Sequence, residues 1–149
     1  MITLEDMQAA LLKARGDKVE AQARLRKAAA ELVETYRESL TPDADKGASL
    51  VSTGVLRGGD FTKCPVTLID IDADRSLNFY LSTLLDSRQN AGFIVSVSIS
   101  MREKDEFVSV RIEREEVPLL VLKEGTEGRF LETVEAIKAA VLKKIERLA

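Results

Sequence analysis

The chain has no histidine, no tryptophan, one cysteine and three prolines in 149 residues. Without histidine there is no Ser-His-Asp or Cys-His nucleophile, no histidine-containing zinc site and no imidazole base. The lone Cys64 excludes an intrachain disulfide and a thiolate metal cluster within one chain, and a cytoplasmic setting is the expectation. Any catalysis would therefore run on carboxylates, Lys, Arg, Tyr or a carboxylate-bound metal, and no cofactor is implied. No apolar run approaches a membrane span, and MITLEDMQAA lacks the basic start and apolar core of a signal peptide. Lys and Arg number 22 against 25 Asp and Glu, interspersed, which is the wrong sign for a general nucleic-acid binder.

What is present reads as one α+β domain over 1–149, with an N-terminal helix over 1–40 and an α+β core over 49–149. The clearest stretch runs from Phe93 to Leu122. Phe93, Val95, Val97, Ile99 and Met101 alternate with Ser96, Ser98, Ser100 and Arg102; after a charged turn, Val108, Val110 and Ile112 alternate with Ser109, Arg111 and Glu113. Period two with one apolar face predicts a hairpin whose register is well specified, because a slip of one residue would expose every apolar side chain. The face carrying Ser96, Ser98, Ser100 and Ser109 is either solvated or a flat surface for a partner or a helix.

Residues 3–39 predict a helix that opens with a Thr3/Asp6 cap and carries an apolar stripe through Leu4, Met7, Leu11, Ala14, Ala21, Leu25, Ala28 and Leu32. Its weak point is Gly16-Asp17. Unbroken, it would run roughly 50 Å, whereas a compact domain of this length has a radius of gyration of about 15 Å. Either the helix breaks there and folds back, or its first half projects and needs another chain to cover Leu4, Met7 and Leu11. Projection with homo-oligomerisation is the expectation carried forward.

Two stretches are candidate ligand sites. Arg57-Gly58-Gly59-Asp60, followed by Thr62 and Lys63, can form a backbone nest for a small anion or nucleotide, with Arg57, Thr62 and Lys63 adding charge and a hydroxyl. It lacks P-loop spacing, and a Gly-Gly hairpin turn is the plainer alternative. Val66–Ala73 reads as a strand whose Asp70 and Asp72, with Asp74 just beyond, share one side. Three carboxylates so placed suit a hard divalent cation or acid–base chemistry. The match to a calcium loop fails at Arg75 and Leu81, and a solvated strand face is the alternative. Cys64, before Pro65, reads as a packing residue.

Elsewhere, Thr41–Ala48 reads as a turn-rich linker and Ser49–Leu56 as a strand. Residues 75–90 read as a helix ended by Asn90 and Gly92, although Leu77, Phe79 and Leu81 also fit a strand. Val117–Leu122 reads as an apolar strand buried on both faces or lying under the last helix, with Pro118 arguing for an edge. A C-terminal helix capped by Thr126 follows, with a stripe through Phe130, Leu131, Val134, Ile137, Val141, Leu142, Ile145 and Leu148 that should pack on the sheet. The architecture expected is a long N-terminal helix, an antiparallel sheet of about five strands, an inserted helix and a C-terminal helix packed on the sheet. Helix–hairpins–helix order resembles prefoldin-like chaperone subunits, but terminal helices this unequal cannot pair as that coiled coil, so nothing is carried over. The function expected is non-enzymatic docking on a protein partner, as a small regulator or inhibitor; anion binding and metal-dependent catalysis are the alternatives.

Overall fold

The computed structural model describes residues 1–86, 93–123 and 127–148. Helix α1 (Leu4–Leu40) begins at a full capping box: Asp6 N–H donates to Thr3 Oγ1 at 3.2 Å, and Thr3 N–H donates to Asp6 Oδ2 at 2.9 Å. It runs without a break through Gly16, so the fold-back alternative is out. At 1.5 Å per residue its 37 residues extend about 55 Å. The helix stops where Thr41 turns extended ahead of Pro42.

The segment after it is helical rather than a linker. Asp43 caps α2 (Ala44–Leu50) by accepting from the N–H groups of Asp45 and Lys46, a local signal that the turn-rich composition of 41–48 obscured. Gly47 lies against α1: a Cβ there would sit 2.8 Å from Arg37 Cγ, so a larger residue would have to displace the Arg37 side chain.

Six strands form one antiparallel sheet, one more than expected: β1 (Val51–Arg57), β2 (Asp60–Lys63), β3 (Leu77–Asp86), β4 (Phe93–Lys104), β5 (Phe107–Ile112) and β6 (Leu119–Leu122). Their order is β2-β1-β3-β4-β5-β6. The β4–β5 hairpin keeps the two apolar faces together, with Ile99 opposite Ile112 and Met101 opposite Val110, but its turn is shorter than the charged stretch 102–106, since Arg102, Glu103 and Lys104 still pair within β4.

Four expectations are corrected. Residues 77–86 are the central strand β3, not a helix; with β1 and β4 bonded on either side, Leu77, Phe79 and Leu81 bury at period two. The proposed stop at Asn90 and Gly92 lies outside the described residues. Val66–Ala73 is not a strand: Val66–Leu68 is a 3₁₀ turn packed on α1, the following backbone makes local bonds such as Asp72 N–H to Ser76 O at 2.9 Å, and β2 takes the sheet position. Strand β6 is buried on one face only, with Val121 inside and Leu120 and Leu122 exposed, as suits an edge strand after Pro118. Helix α3 (Leu131–Glu146) has Phe130 at its N-cap; Thr126 lies outside the described residues.

Helices α1 and α3 pack side by side on one sheet face. The core between them and the sheet includes Leu25, Leu32, Tyr36, Phe79, Val97, Met101, Phe130 and Ile137. The expected stripe of α3 narrows to Phe130, Val134, Ile137 and Val141, while Leu131, Leu142 and Leu148 face outward. Arg129 ties the layers together. It pairs with Glu31 of α1 at 2.7 Å, donates to the carbonyls of Leu122 and Lys123, and lies 4.8 Å from the Phe130 ring.

Candidate functional site

Burial divides α1 in two. From Ala21 onward the helix is engaged with the body, and Leu25, Ala28, Ala29, Leu32, Val33 and Tyr36 are buried. Every residue from Met1 to Glu20 is exposed, including Leu4 at 66%, Met7 at 57% and Leu11 at 50%. The apolar period is the same in both halves, so the face that meets the core continues past it, and among the described residues nothing lies on it. Glu103 holds the point of departure: it pairs with Arg24 of α1 at 3.1 Å and with Lys123 at 3.5 Å. We call residues 4–20 the arm. Its tip is acidic, with Glu5 and Asp6 in the first turn.

A groove of about 530 Å³ opens on the same sheet face as the helices, between α3 and the β5–β6 edge. Its apolar walls are Val110, Ile112 and Leu119 on the sheet side and Ala136, Ala139 and Ala140 on α3. Alanines at these positions leave the space that larger side chains would fill. The rim is basic. Four cations (Arg114, Lys143, Lys144 and Arg147) face two carboxylates, Glu113 and Glu115. Lys144 is committed, lying 2.5 Å from Glu113 Oε1 and donating to the Ser96 carbonyl at 2.6 Å. Among the described residues Arg114, Lys143 and Arg147 are in no ion pair.

The opposite sheet face carries the serines, and no described helix covers it. Ser82 and Ser96 hydroxyls bond each other at 2.7 Å, and Ser98 donates to Glu113 Oε2 at 3.2 Å, so part of the hydroxyl row is internally satisfied. Apolar side chains lie toward both edges of this face, Leu56 and Phe61 at one and Phe107, Leu120 and Leu122 at the other. Gly54 belongs here too. A Cβ on it would come within 2.3 Å of the Thr62 carbonyl and 2.7 Å of the Phe61 ring, which lies across the glycine.

The two ligand stretches read from the sequence fare differently. Gly58 and Gly59, with φ of 60° and 87°, form the two-residue turn of the β1–β2 hairpin, and Arg57 stands opposite Asp60. Both glycines face open space, and Arg57, Thr62 and Lys63 lie along the two strands rather than around a hollow. Asp70, Asp72 and Asp74 occupy the loop before β3. Asp72 accepts from Asn78 Nδ2 at 2.6 Å, and Asp74 accepts from Ser76 N–H at 3.1 Å, both serving to shape that loop. Among the described residues no three His, Cys, Asp or Glu side chains are gathered as a metal would need. Cys64 is half-buried beside the core.

Sequence reasoning missed the groove. Its signal was the run of small residues at 136, 139 and 140 beside the buried stripe of α3, which shows its meaning only once the neighbouring strands are in place. Among the described residues no helix is long and apolar enough to cross a membrane. Comparison with protein-family models, curated proteins and solved structures found no match.

Proposed function

We propose that this chain is a non-enzymatic docking protein, a small regulator or inhibitor that works by seating its apolar helix arm on another protein, and that it self-associates. The observation that carries the reading is the arm. Seventeen helical residues, 4–20, hold Leu4, Met7 and Leu11 on one stripe with no covering contact among the described residues. An isolated helix of that length is marginal in water; here it is nucleated by the buried half of α1 and held at its root by Arg24 and Glu103. Presenting an amphipathic helix to an apolar groove is a common mode of recognition.

Anion binding at Arg57–Lys63 gains no comparable support, since both glycines serve the hairpin turn. The metal reading rests on Asp70, Asp72 and Asp74, two of which are occupied in local bonds.

The test compares the wild-type chain with Leu4→Asp plus Leu11→Asp, by mass in solution and by capture of bound proteins from host lysate. Both leucines are exposed, so folding is expected to survive. The reading predicts that the double variant loses self-association or a captured protein. Identical mass and identical capture would sink it.

A further inference from the structure

We propose that the groove between α3 and the β5–β6 edge receives the N-terminal arm of a second copy of this chain. The proposal rests on the docking reading above and supplies the partner.

The first ground is coverage. Helix α1 lies over β3 and β4, and α3 over β4 and β5. Strands are spaced by about 4.8 Å and a helix is about 10 Å across, so one helix covers roughly two strands. Two helices side by side leave the outer edge of a six-stranded sheet open, and the groove lies at that edge, lined by Val110, Ile112 and Leu119. The strand left uncovered at that edge is β6, and the groove opens where α3 presents alanines to β5 and β6 instead of filling the space.

The second ground is chemistry. The groove joins an apolar floor to a rim with a net excess of two positive charges, in a chain whose net charge is −3. The first turns of the arm are its complement: an apolar stripe of Leu4, Met7 and Leu11 beside Glu5 and Asp6, while farther along Lys13, Arg15 and Lys18 are largely balanced by Asp17 and Glu20. Arm and groove are the two halves of a helix-in-groove contact, and the unpaired Arg114, Lys143 and Arg147 are available to the acidic tip.

The third ground is reach. Because α1 is continuous, Leu4 stands about 30 Å along the helix axis from Leu25, the first buried residue. Among the described residues nothing lies on the apolar stripe of the arm, and in the proposed contact its cover comes from another molecule. Such a contact either closes as a reciprocal, isologous dimer, each arm in the other's groove, or continues head to tail as a heterologous chain.

The experiment uses three full-length proteins, with light scattering as readout and circular dichroism with a urea midpoint as the control for folding. One carries Leu4→Asp and Leu11→Asp in the arm; one carries Ala139→Trp, which fills the groove from an exposed position; the third is wild type. The proposal expects each variant alone to fall to the mass of one 16.4 kDa chain. It further expects their mixture to regain a dimer, because one intact arm and one intact groove remain. A second pair guards against misfolding of the tryptophan variant: Lys143→Glu with Arg147→Glu should dissociate, and Glu5→Lys should partly restore association. If the arm variant dissociates while both groove variants keep the wild-type mass, the groove assignment is overturned and the docking reading stands, with the arm binding elsewhere, as in arm-to-arm pairing. A wild-type chain that remains monomeric at its highest soluble concentration overturns the groove assignment as well. The docking reading then falls with it unless the arm variant loses capture of a different protein.

Discussion

At the scale of single residues, the buried hydroxyl pair Tyr36–Thr83 is the best place to test the core. The two oxygens are 2.7 Å apart, with Tyr36 1% and Thr83 4% exposed. Tyr36→Phe strands the Thr83 hydroxyl without a partner, and a loss of about 1–3 kcal/mol in urea denaturation is expected. Adding Thr83→Val removes the stranded group and should recover most of that loss. Burial raises the Tyr36 pKa above its ordinary value, outweighing the bond to Thr83, which lowers it. The folded chain therefore holds this proton more tightly than the unfolded one. The associated stability is complete below about pH 10 and is lost as pH climbs from there toward the folded value. Urea midpoints at pH 8 and pH 11 should fall further for wild type than for Tyr36→Phe; equal falls would show that Tyr36 does not govern the alkaline limb.

At the scale of elements, α1 shows how far a pattern can be read. Its cap, stripe and end were all legible, because Thr3, Asp6, the three- and four-residue spacing and Pro42 act locally. Whether Gly16 broke it was not, since one glycine costs a helix only about 1 kcal/mol and a long helix tolerates that. Gly16 has no neighbour within 4 Å of where a Cβ would be, so Gly16→Ala should raise thermal stability of the arm and leave the body unchanged. Gly16→Pro should uncouple the arm, lowering helicity and self-association while the urea midpoint of the body stays put. Strand β3 was misread because apolar residues occur on both its faces, Leu77, Phe79 and Leu81 on one and Tyr80 and Leu84 on the other, which blurs period two into something helical. The loop carrying Asp70, Asp72 and Asp74 was misread for the reverse reason. Its alternation is strict, yet Ile69 turns inward beneath α1, where Arg26 Nε donates to its carbonyl at 3.2 Å, and no neighbouring strand takes up the rest.

At the scale of the whole molecule, fold class and the exposed arm were accessible from pattern and length, whereas the groove was not. A groove arises from which strands the helices leave uncovered, and that depends on sheet order. The division between arm and body has a direct thermodynamic consequence. Removing residues 1–18 deletes side chains that are all exposed, so the urea midpoint at low protein concentration should move by no more than about 0.5 kcal/mol equivalent. Under the proposed arm-in-groove contact the wild-type midpoint rises with protein concentration, and that dependence should vanish with the arm. A shortened chain that still unfolds at a concentration-dependent midpoint would place the self-contact on the body.

The first five residues of β4, Phe93–Val97, run past the end of β5, and among the described residues no strand pairs with their outer edge. Lys144 fixes its Nζ on one carbonyl of that edge, at Ser96. Such an overhang, with Phe93 and Ile94 exposed beside it, is a template on which other chains could stack as fibrils. The Lys144 bond occupies one acceptor of that edge, so the expected effect of losing it is on aggregation rather than on fold. A Lys144→Met chain is expected to keep its circular dichroism spectrum, yet to develop thioflavin-positive aggregates on storage under conditions where the parent stays clear.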